Sequence, residues 1–263
     1  MPLLDVRGLT VAYDRPGAAP FVAARGVSLA LAEGEALGVV GESGCGKSSV
    51  MRGIVGMARV SAGTVTLAGA DVTNARGRRA RDLYRVVQMV FQSPQGSFDP
   101  RRTLGFSAQE GLRNAGVPRG EARRRVEALF ARCGLDPELM GRYPSEVSGG
   151  QCQRAAIARA LAARPRLLIC DEATSALDTL AQAQVVRLVS DVRDETGMAV
   201  LFVCHDLALA QGLCDRVAVM HAGEVVESGP AREVIAHPRH EATRLLVRSA
   251  RALSLDASPT PGR

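Results

Sequence analysis

Residues 41–48 have the sequence Gly41-Glu42-Ser43-Gly44-Cys45-Gly46-Lys47-Ser48, which follows an apolar stretch at residues 36–40. The segment fits the pattern G-x-x-x-x-G-K-[ST], whose glycines let backbone N–H groups curl around a phosphate. A helix that begins at Lys47 would add the partial positive charge of its amino terminus. We therefore expect a strand over residues 36–40, a phosphate-binding loop over residues 41–48 and a helix from Lys47 to about Gly56.

The composition singles out Lys47. It is the one Lys among 33 Lys and Arg residues, so the chain uses Arg wherever either cation would serve. A compact ammonium is retained where a planar guanidinium fails, and the motif predicts that this ammonium contacts the β- and γ-phosphates. The hydroxyl of Ser48 is expected to bind Mg²⁺. The other residues predicted to bind the nucleotide in this loop are Gly41, Ser43, Gly44, Cys45, Gly46 and Ser49.

The bulk composition excludes several classes of protein. The 263 residues are 46% hydrophobic and 23% charged, which is typical of a soluble globular chain. The longest apolar run, residues 198–204, falls short of the roughly 18 residues that a membrane span needs. The first residues lack a basic segment followed by a long apolar one, so secretion is not expected. A membrane role would be peripheral, from the cytoplasmic side.

The cysteines and the arginine clusters suggest no separate chemistry. The six cysteines contain no C-x-x-C pair, which disfavours a zinc site or a redox dithiol and predicts buried free thiols. The net charge is +6, with Arg clusters within residues 76–85 and 123–125, yet aromatic residues make up only 3% of the chain. Stacking platforms for single strands are therefore missing, and we expect no nucleic-acid partner. We interpret the clusters as solvated helix faces, and binding to an anionic membrane surface or to a partner protein is the alternative.

Strand and helix patterns alternate along the chain. Apolar runs at residues 167–170 and 199–203 are continuous, as in parallel strands buried on both faces, and a helical stretch at residues 179–193 separates them. This alternation predicts an α/β fold, a P-loop NTPase core with a mainly parallel sheet and an antiparallel β portion. The other expected elements are strands at residues 3–13, 26–31, 63–67 and 86–91, a loop at 16–20, and a closing β pair around residues 222–223.

Residues 93–160 differ from the rest and predict an all-helical insertion. Its expected helices cover residues 104–114 and 119–133, and a third begins after Gly150. The predicted nucleotide-binding core is discontinuous and covers residues 1–92 and 161–250. The helical subdomain covers residues 93–160, and a flexible tail covers residues 251–263.

Two carboxylates follow the apolar run at residues 167–170. At the end of a parallel strand near the phosphate loop, Asp171 is placed to hold Mg²⁺. Glu172 can orient or deprotonate the water that attacks the γ-phosphate. A phosphate loop and a strand ending in Asp-Glu together specify an NTPase, without saying which kind.

The segment Val147-Ser148-Gly149-Gly150-Gln151 decides the kind of NTPase, because it precedes a helix whose amino terminus can bind a second anion. With the other motifs in order, the chain resembles ABC-type ATPase subunits over roughly residues 3–240. The resemblance implies ATP and Mg²⁺ as ligands. It also implies that Ser148, Gly149, Gly150 and Gln151 contact the γ-phosphate bound by another subunit.

Further roles come from the resemblance alone. Tyr13 matches the aromatic residue that stacks on adenine, and His205 matches the switch histidine that contacts the γ-phosphate. Gln92 matches the glutamine that senses Mg²⁺ and the attacking water, so it is included among the metal-binding residues with Ser48 and Asp171. It is also included among the catalytic residues, which are Gln92, Lys47, Glu172 and His205. Asp178 ends the segment that matches the D-loop and is included among the nucleotide-binding residues.

Three positions depart from the usual family pattern. Ala173 stands where a proline normally follows the catalytic Glu, Cys152 replaces a common Arg or Lys, and Cys204 replaces a common Thr. None of these changes removes a catalytic group, so we expect the ATPase activity to be retained.

The segment at residues 92–102 is similar to the corresponding part of ATPases from peptide and nickel importers, and residues 179–185 support this. Many such subunits carry a longer, Cys-rich carboxyl-terminal stretch, and no Cys follows Cys214 here. That difference favours shorter relatives such as nickel or metal–metallophore subunits.

The resemblance implies a subunit that binds and hydrolyses ATP to energise an importer of peptides, nickel or metal–metallophore complexes. Its expected partners are a second ATPase subunit, identical or different, two transmembrane permeases and, indirectly, an extracytoplasmic solute-binding protein. Its expected location is the cytoplasmic face of the inner membrane. The alternative is a soluble ABC-type scaffold of an enzyme complex for phosphonate breakdown. A P-loop kinase is disfavoured by the signature segment and the switch histidine.

Overall fold

The structure, a computed structural model, describes residues 1–174, 177–205 and 207–256, with backbone alone at Ala208 and residues 251–256. The chain forms two compact units, Met1–Ala80 with Leu201–Arg263, and Arg81–Val200. The two units are defined by how densely the residues pack within each. The functional division predicted between residues 92 and 93 and between residues 160 and 161 is a different property and stays a prediction.

Ten helices and strands, from β1 to α4, cover the amino-terminal half of the chain. They are β1 (Leu4–Arg15), β2 (Ala18–Leu31), β3 (Ala36–Val40), α1 (Lys47–Ile54), β4 (Val60–Leu67), β5 (Ala70–Asp71), α2 (Arg78–Val86), β6 (Val87–Val90), α3 (Leu104–Asn114) and α4 (Arg119–Arg132).

The remaining elements complete both units. They are α5 (Gly149–Ala162), β7 (Leu167–Asp171), α6 (Thr179–Thr196), β8 (Ala199–Cys204), α7 (Leu207–Leu213), β9 (Arg216–His221), β10 (Glu224–Pro230), α8 (Ala231–Ala236) and α9 (Glu241–Asp256), with short 3₁₀ turns at Gln95–Ser97, Pro137–Gly141 and Pro144–Glu146.

The first unit contains two sheets. One is antiparallel with the order β2-β1-β4-β5, and in the other β10, β9, β3 and β8 are successive neighbours. β3 runs parallel to β9, while β9 and β10 are antiparallel around the turn at residues 222–223. All five residues of β3 are buried, as the continuous apolar run requires. The predicted α/β fold with an antiparallel portion is confirmed.

The predicted loop at residues 16–20 is wrong in part. β1 and β2 form a hairpin whose ladder continues to the pair Arg15–Ala18, so residues 18–20 are strand. The turn is short because Gly17 adopts a φ of 72°, a conformation that glycine reaches at little cost.

The second unit combines the parallel pair β6 and β7 with the helices α3, α4 and α5. α3 begins and ends at the predicted residues, and α4 ends one residue early. Fully buried side chains, among them Phe130, Leu104 and Ile157, form its core.

The predicted flexible tail overlaps the last helix. The backbone of α9 is helical to Asp256, six residues into that segment, and residues 257–263 lie outside the described residues. Along the part of the chain that the structure describes, no helix is long and apolar enough to cross a bilayer.

Candidate functional site

The glycine-rich loop of the first unit winds around the side chain of Lys47. β3 ends at Val40, and α1 begins at Lys47 itself. Lys47 is only 4% exposed, and its Nζ donates to the carbonyl oxygens of Gly41 at 2.7 Å and Glu42 at 2.9 Å. The predicted strand, loop and helix are thus present, with the ammonium inside the curve of the loop.

Two of the loop glycines are required by close backbone packing. A Cβ atom on Gly41 would lie 2.3 Å from the carbonyl oxygen of Met220, and one on Gly46 would lie 2.2 Å from that of Ala23. The loop is also held by the turn between β9 and β10, because the amide of Gly223 donates to the carbonyl of Cys45 at 3.0 Å. Sequence reasoning explained these glycines by phosphate approach and missed their neighbours, which are distant in sequence.

Tyr13 lies beside the phosphate loop. It stands on β1, is 37% exposed, and donates its hydroxyl to Oγ of Ser49 at 3.3 Å, in the first turn of α1. Phe21 pairs with Tyr13 across the hairpin and is 45% exposed, with the guanidinium of Arg15 at 4.6 Å from its ring centre. An aromatic edge therefore flanks the amino terminus of α1. His205, in the same unit, is exposed just after β8.

The second unit brings Gln92 and Glu172 together. β6 and β7 are parallel and in register up to the pair Val90–Cys170, so the residues that follow emerge at the same edge. Nε2 of Gln92 donates to Oε2 of Glu172 at 2.6 Å. Asp171 is 2% exposed at the end of β7. Glu172 has a φ of 49°, a left-handed conformation that is costly for a non-glycine residue and that recurs at functional sites.

The signature segment forms the start of α5. Ser148 is the N-cap, with its hydroxyl accepting from the amide of Gln151 at 3.2 Å, while Oε1 of Gln151 accepts from the amide of Ser148 at 2.9 Å. This reciprocal capping box fixes the first turn. Ser148 and Gly149 are exposed there.

Asp178 has a structural role that sequence reasoning missed. Its carboxylate accepts from the amide of Ala181 at 2.8 Å and caps α6. The signal was available, since an Asp directly before a helical stretch is a typical N-cap. Ser175 and Ala176, in the predicted D-loop, lie outside the described residues.

The unusual positions are all buried. Ala173, Cys152 and Cys204 are 1%, 0% and 3% exposed. All six cysteines are free and buried, which confirms that prediction. Burial raises the pKa of Cys133 to about 12, and burial followed by the charge of Asp171 raises the pKa of Cys170 to about 12, so both thiols stay protonated near neutral pH.

A P-loop nucleoside triphosphatase is defined by a buried strand, a glycine-rich loop around a lysine at a helix start, and two consecutive carboxylates at the end of another buried strand. The family described as "ABC transporter" matches residues 24–175, more than half of the chain. The chain belongs to the ABC transporter family.

The curated relatives include the oligopeptide transport ATP-binding protein OppF of Salmonella typhimurium, 46% identical over 84% of this chain and 67% of the relative. The glutathione import ATP-binding protein GsiA of Pectobacterium atrosepticum is also 46% identical, over 84% of this chain and 36% of the relative. The chain thus spans about two thirds of the first and little more than a third of the second.

Solved structures agree on the fold. A dimeric bacterial ABC transporter cassette, MJ0796, superposes with a TM-score of 0.82 at 27% identity, covering 87% of this chain and 99% of the cassette. The protein cbiO1 of Clostridium perfringens superposes with a TM-score of 0.76 at 25% identity, covering 96% and 99%. The prediction of an ATP-binding, ATP-hydrolysing ABC subunit is confirmed. The phosphonate-scaffold alternative is not favoured by these relatives.

Proposed function

We propose that this chain energises the import of small peptides. The observation that carries the proposal is the 46% identity, over 84% of the chain, to ATPases named for oligopeptide transport and glutathione import. Glutathione is itself a tripeptide, so both names point to one class of solute. The expectation of nickel or metal–metallophore complexes stays an untested prediction.

The proposed assembly contains two ATPase subunits and two permeases at the cytoplasmic face of the inner membrane, with a solute-binding protein outside. ABC importer ATPases work with permease components, and cbiO1 is part of the ABC transporter complex cbiONQ. The MJ0796 cassette supports the paired arrangement, since its structure is dimeric. The second ATPase can be a copy of this chain or a different one.

In the first unit, the proposed ATP site is the loop of residues 41–49. The ammonium of Lys47 donates to two carbonyl oxygens. Phosphate oxygens also accept hydrogen bonds and carry negative charge, so they bind an ammonium more strongly. We assign the phosphates to the loop amides and Lys47, and adenine to the exposed ring of Tyr13. His205 is assigned to the γ-phosphate.

In the second unit, Glu172 is assigned to the attacking water and Gln92 to its positioning. The 2.6 Å contact between their side chains supports this pairing. Mg²⁺ needs few protein ligands because it keeps waters and phosphate oxygens. In this unit we assign Asp171 and Gln92 to it, and in the first unit the hydroxyl of Ser48, since each side chain carries an oxygen of the kind that Mg²⁺ binds. Magnesium would neutralise charge on the phosphates during transfer.

The signature segment is assigned to the ATP of the second subunit. Its exposed helix start presents amide N–H groups that lack intrahelical acceptors, and those groups suit an anion. Ser148, Gly149, Gly150, Gln151 and Asp178 would thus act across the dimer, and closure would move the helical subdomain and the permeases attached to it.

Purification of the tagged chain from solubilised membranes tests the assembly. We expect two integral membrane permeases to co-purify, and peptides added with the solute-binding protein to stimulate ATP hydrolysis in liposomes. Recovery of lyase components without permeases would contradict the proposal, and stimulation by nickel complexes alone would contradict the solute class.

A further inference from the structure

Helix α5 carries two polar side chains beyond its signature end. Gln153 is fully buried, and Arg159 is half-buried. Both contact the stretch of residues 91–98, here called the Q segment, which contains Gln92. None of the assigned motif roles uses either side chain.

Arg159 holds the far end of the Q segment. Its Nη1 donates to the carbonyl oxygen of Ser97 at 2.5 Å, and its guanidinium carbon lies 4.4 Å from the centre of the Phe98 ring. The turn that Arg159 contacts is stabilised by its own hydrogen bonds. The amide and the hydroxyl of Ser97 both donate to the carbonyl of Pro94, at 3.1 and 2.7 Å. Arg159 therefore holds a rigid turn rather than a single side chain.

The chemistry of Arg159 fits this contact specifically. Burial lowers the pKa of its guanidinium, so its enclosure disfavours the charge. The side chain uses both the edge of the guanidinium, toward a carbonyl, and its flat face, toward an aromatic ring. A lysine has no planar group that could lie flat on the ring while an N–H at its edge reaches the carbonyl.

Gln153 holds the near end of the Q segment. Its Nε2 donates to the carbonyl oxygen of Phe91 at 3.4 Å, next to Gln92 in the chain. Its Oε1 is buried and, among the residues that the structure describes, has no hydrogen-bond partner. An unpartnered buried oxygen costs stability, so packing alone does not explain an amide at this position.

Gln92 lies between these two attachments. Its side chain reaches across to β7, where its amide is 2.6 Å from the carboxylate of Glu172. The position of Gln92 therefore depends on the anchored flanks of the Q segment. The chain of contacts runs from helix α5 through the Q segment to the carboxylate that follows β7.

We propose that Arg159 is a positioning residue that holds the Q segment on helix α5, so that Gln92 stays against Glu172. The inference rests on the proposed roles of Gln92 and Glu172.

Steady-state kinetics of Arg159→Gln tests the proposal. We expect kcat to fall by about tenfold or more, because displacements near 1 Å can cost about a hundredfold, while the Kd for ATP changes less than about twofold. The double variant Arg159→Gln/Gln92→Ala should be no slower than Gln92→Ala, since both changes remove one coupled interaction. An unchanged kcat, or losses that multiply in the double variant, would overturn the proposal.

Two controls separate positioning from loss of fold. Arg132→Gln removes an exposed arginine of the same unit, whose ion pair with Glu195 has an N–O distance of 2.8 Å, and should leave kcat unchanged. Val126→Ala opens a cavity at a fully buried position in α4 and should lower Tm without the kcat loss. Equal kcat losses in Val126→Ala and Arg159→Gln would refute positioning.

If Arg159→Gln does not fold, Phe98→Leu removes the stacking face and keeps the arginine. It should lower kcat in the same direction with unchanged ATP affinity, and a normal kcat would overturn the proposal. A wild-type chain that hydrolyses no ATP overturns the proposed function together with this inference, whereas an active wild type with unaffected variants overturns the inference alone.

Discussion

At the scale of single residues, the phosphate loop is built for an ammonium of one size. Nζ of Lys47 lies within 2.9 Å of two carbonyl oxygens, and the residue is 4% exposed. Lys47→Arg keeps the charge but places a broad planar group in that space. We expect ATP hydrolysis to fall by about a hundredfold or more, measured as phosphate release, because the group that contacts the phosphates is misplaced.

A matched control lies on the same helix. Arg52 is exposed on α1, and Arg52→Lys makes the reverse exchange away from the loop, so phosphate release should be normal. Hydrolysis by Lys47→Arg at the wild-type rate would show that the loop does not require a compact cation.

At the scale of elements, α6 depends on its cap. The carboxylate of Asp178 accepts from the amide of Ala181 at 2.8 Å, so Asp178→Ala should destabilise the fold by about 1 kcal/mol. Asp178→Asn should retain most of this stability because Asn caps equally well. Thermal unfolding measures both, with Asp194→Ala, an exposed position on the same helix, as the control. Equal losses for the Ala and Asn variants would contradict capping.

Two buried thiols, Cys133 at the end of α4 and Cys170 in β7, should make the folded state less stable at alkaline pH. The pKa of Cys133 and of Cys170 is raised from 9.0 to about 12, so ionisation is delayed in the folded state. Their stabilising contribution is complete below pH 9 and is lost as the pH rises from about 9 toward about 12. Denaturant midpoints over this range should fall less steeply for Cys133→Ala than for wild type. Identical slopes would contradict the assignment.

At the scale of the whole molecule, hydrolysis and dimer opening are proposed to be linked through Glu172. Glu172→Gln removes the base but keeps a side chain of similar size, so it should accumulate as an ATP-bound dimer. Size-exclusion chromatography with ATP and Mg²⁺ should show twice the monomer mass, and ADP should not. Normal turnover by this variant would refute the role of Glu172.

Local patterns predicted much of the fold and of the site. The phosphate loop, α3 and the buried strands follow from glycine spacing and apolar runs within short windows. The backbone carbonyls of Met220 and Ala23 pack closely against Gly41 and Gly46. These contacts could not be predicted, because the partners are distant in sequence and meet only in the folded chain. The hairpin through residues 18–20 was missed because its ladder depends on the partner strand. Arg159 carries no local signal for its contact with the Q segment.

The near absence of lysine gives the molecule an unusual surface for bioconjugation. Amine-reactive dyes or resins can attach only at the α-amino group and at Lys47, which is buried in the loop. Immobilisation through amines should therefore present nearly all molecules in one orientation. A second adduct per chain, counted by mass spectrometry, would report directly on how often the loop exposes its ammonium, and bound nucleotide should suppress it.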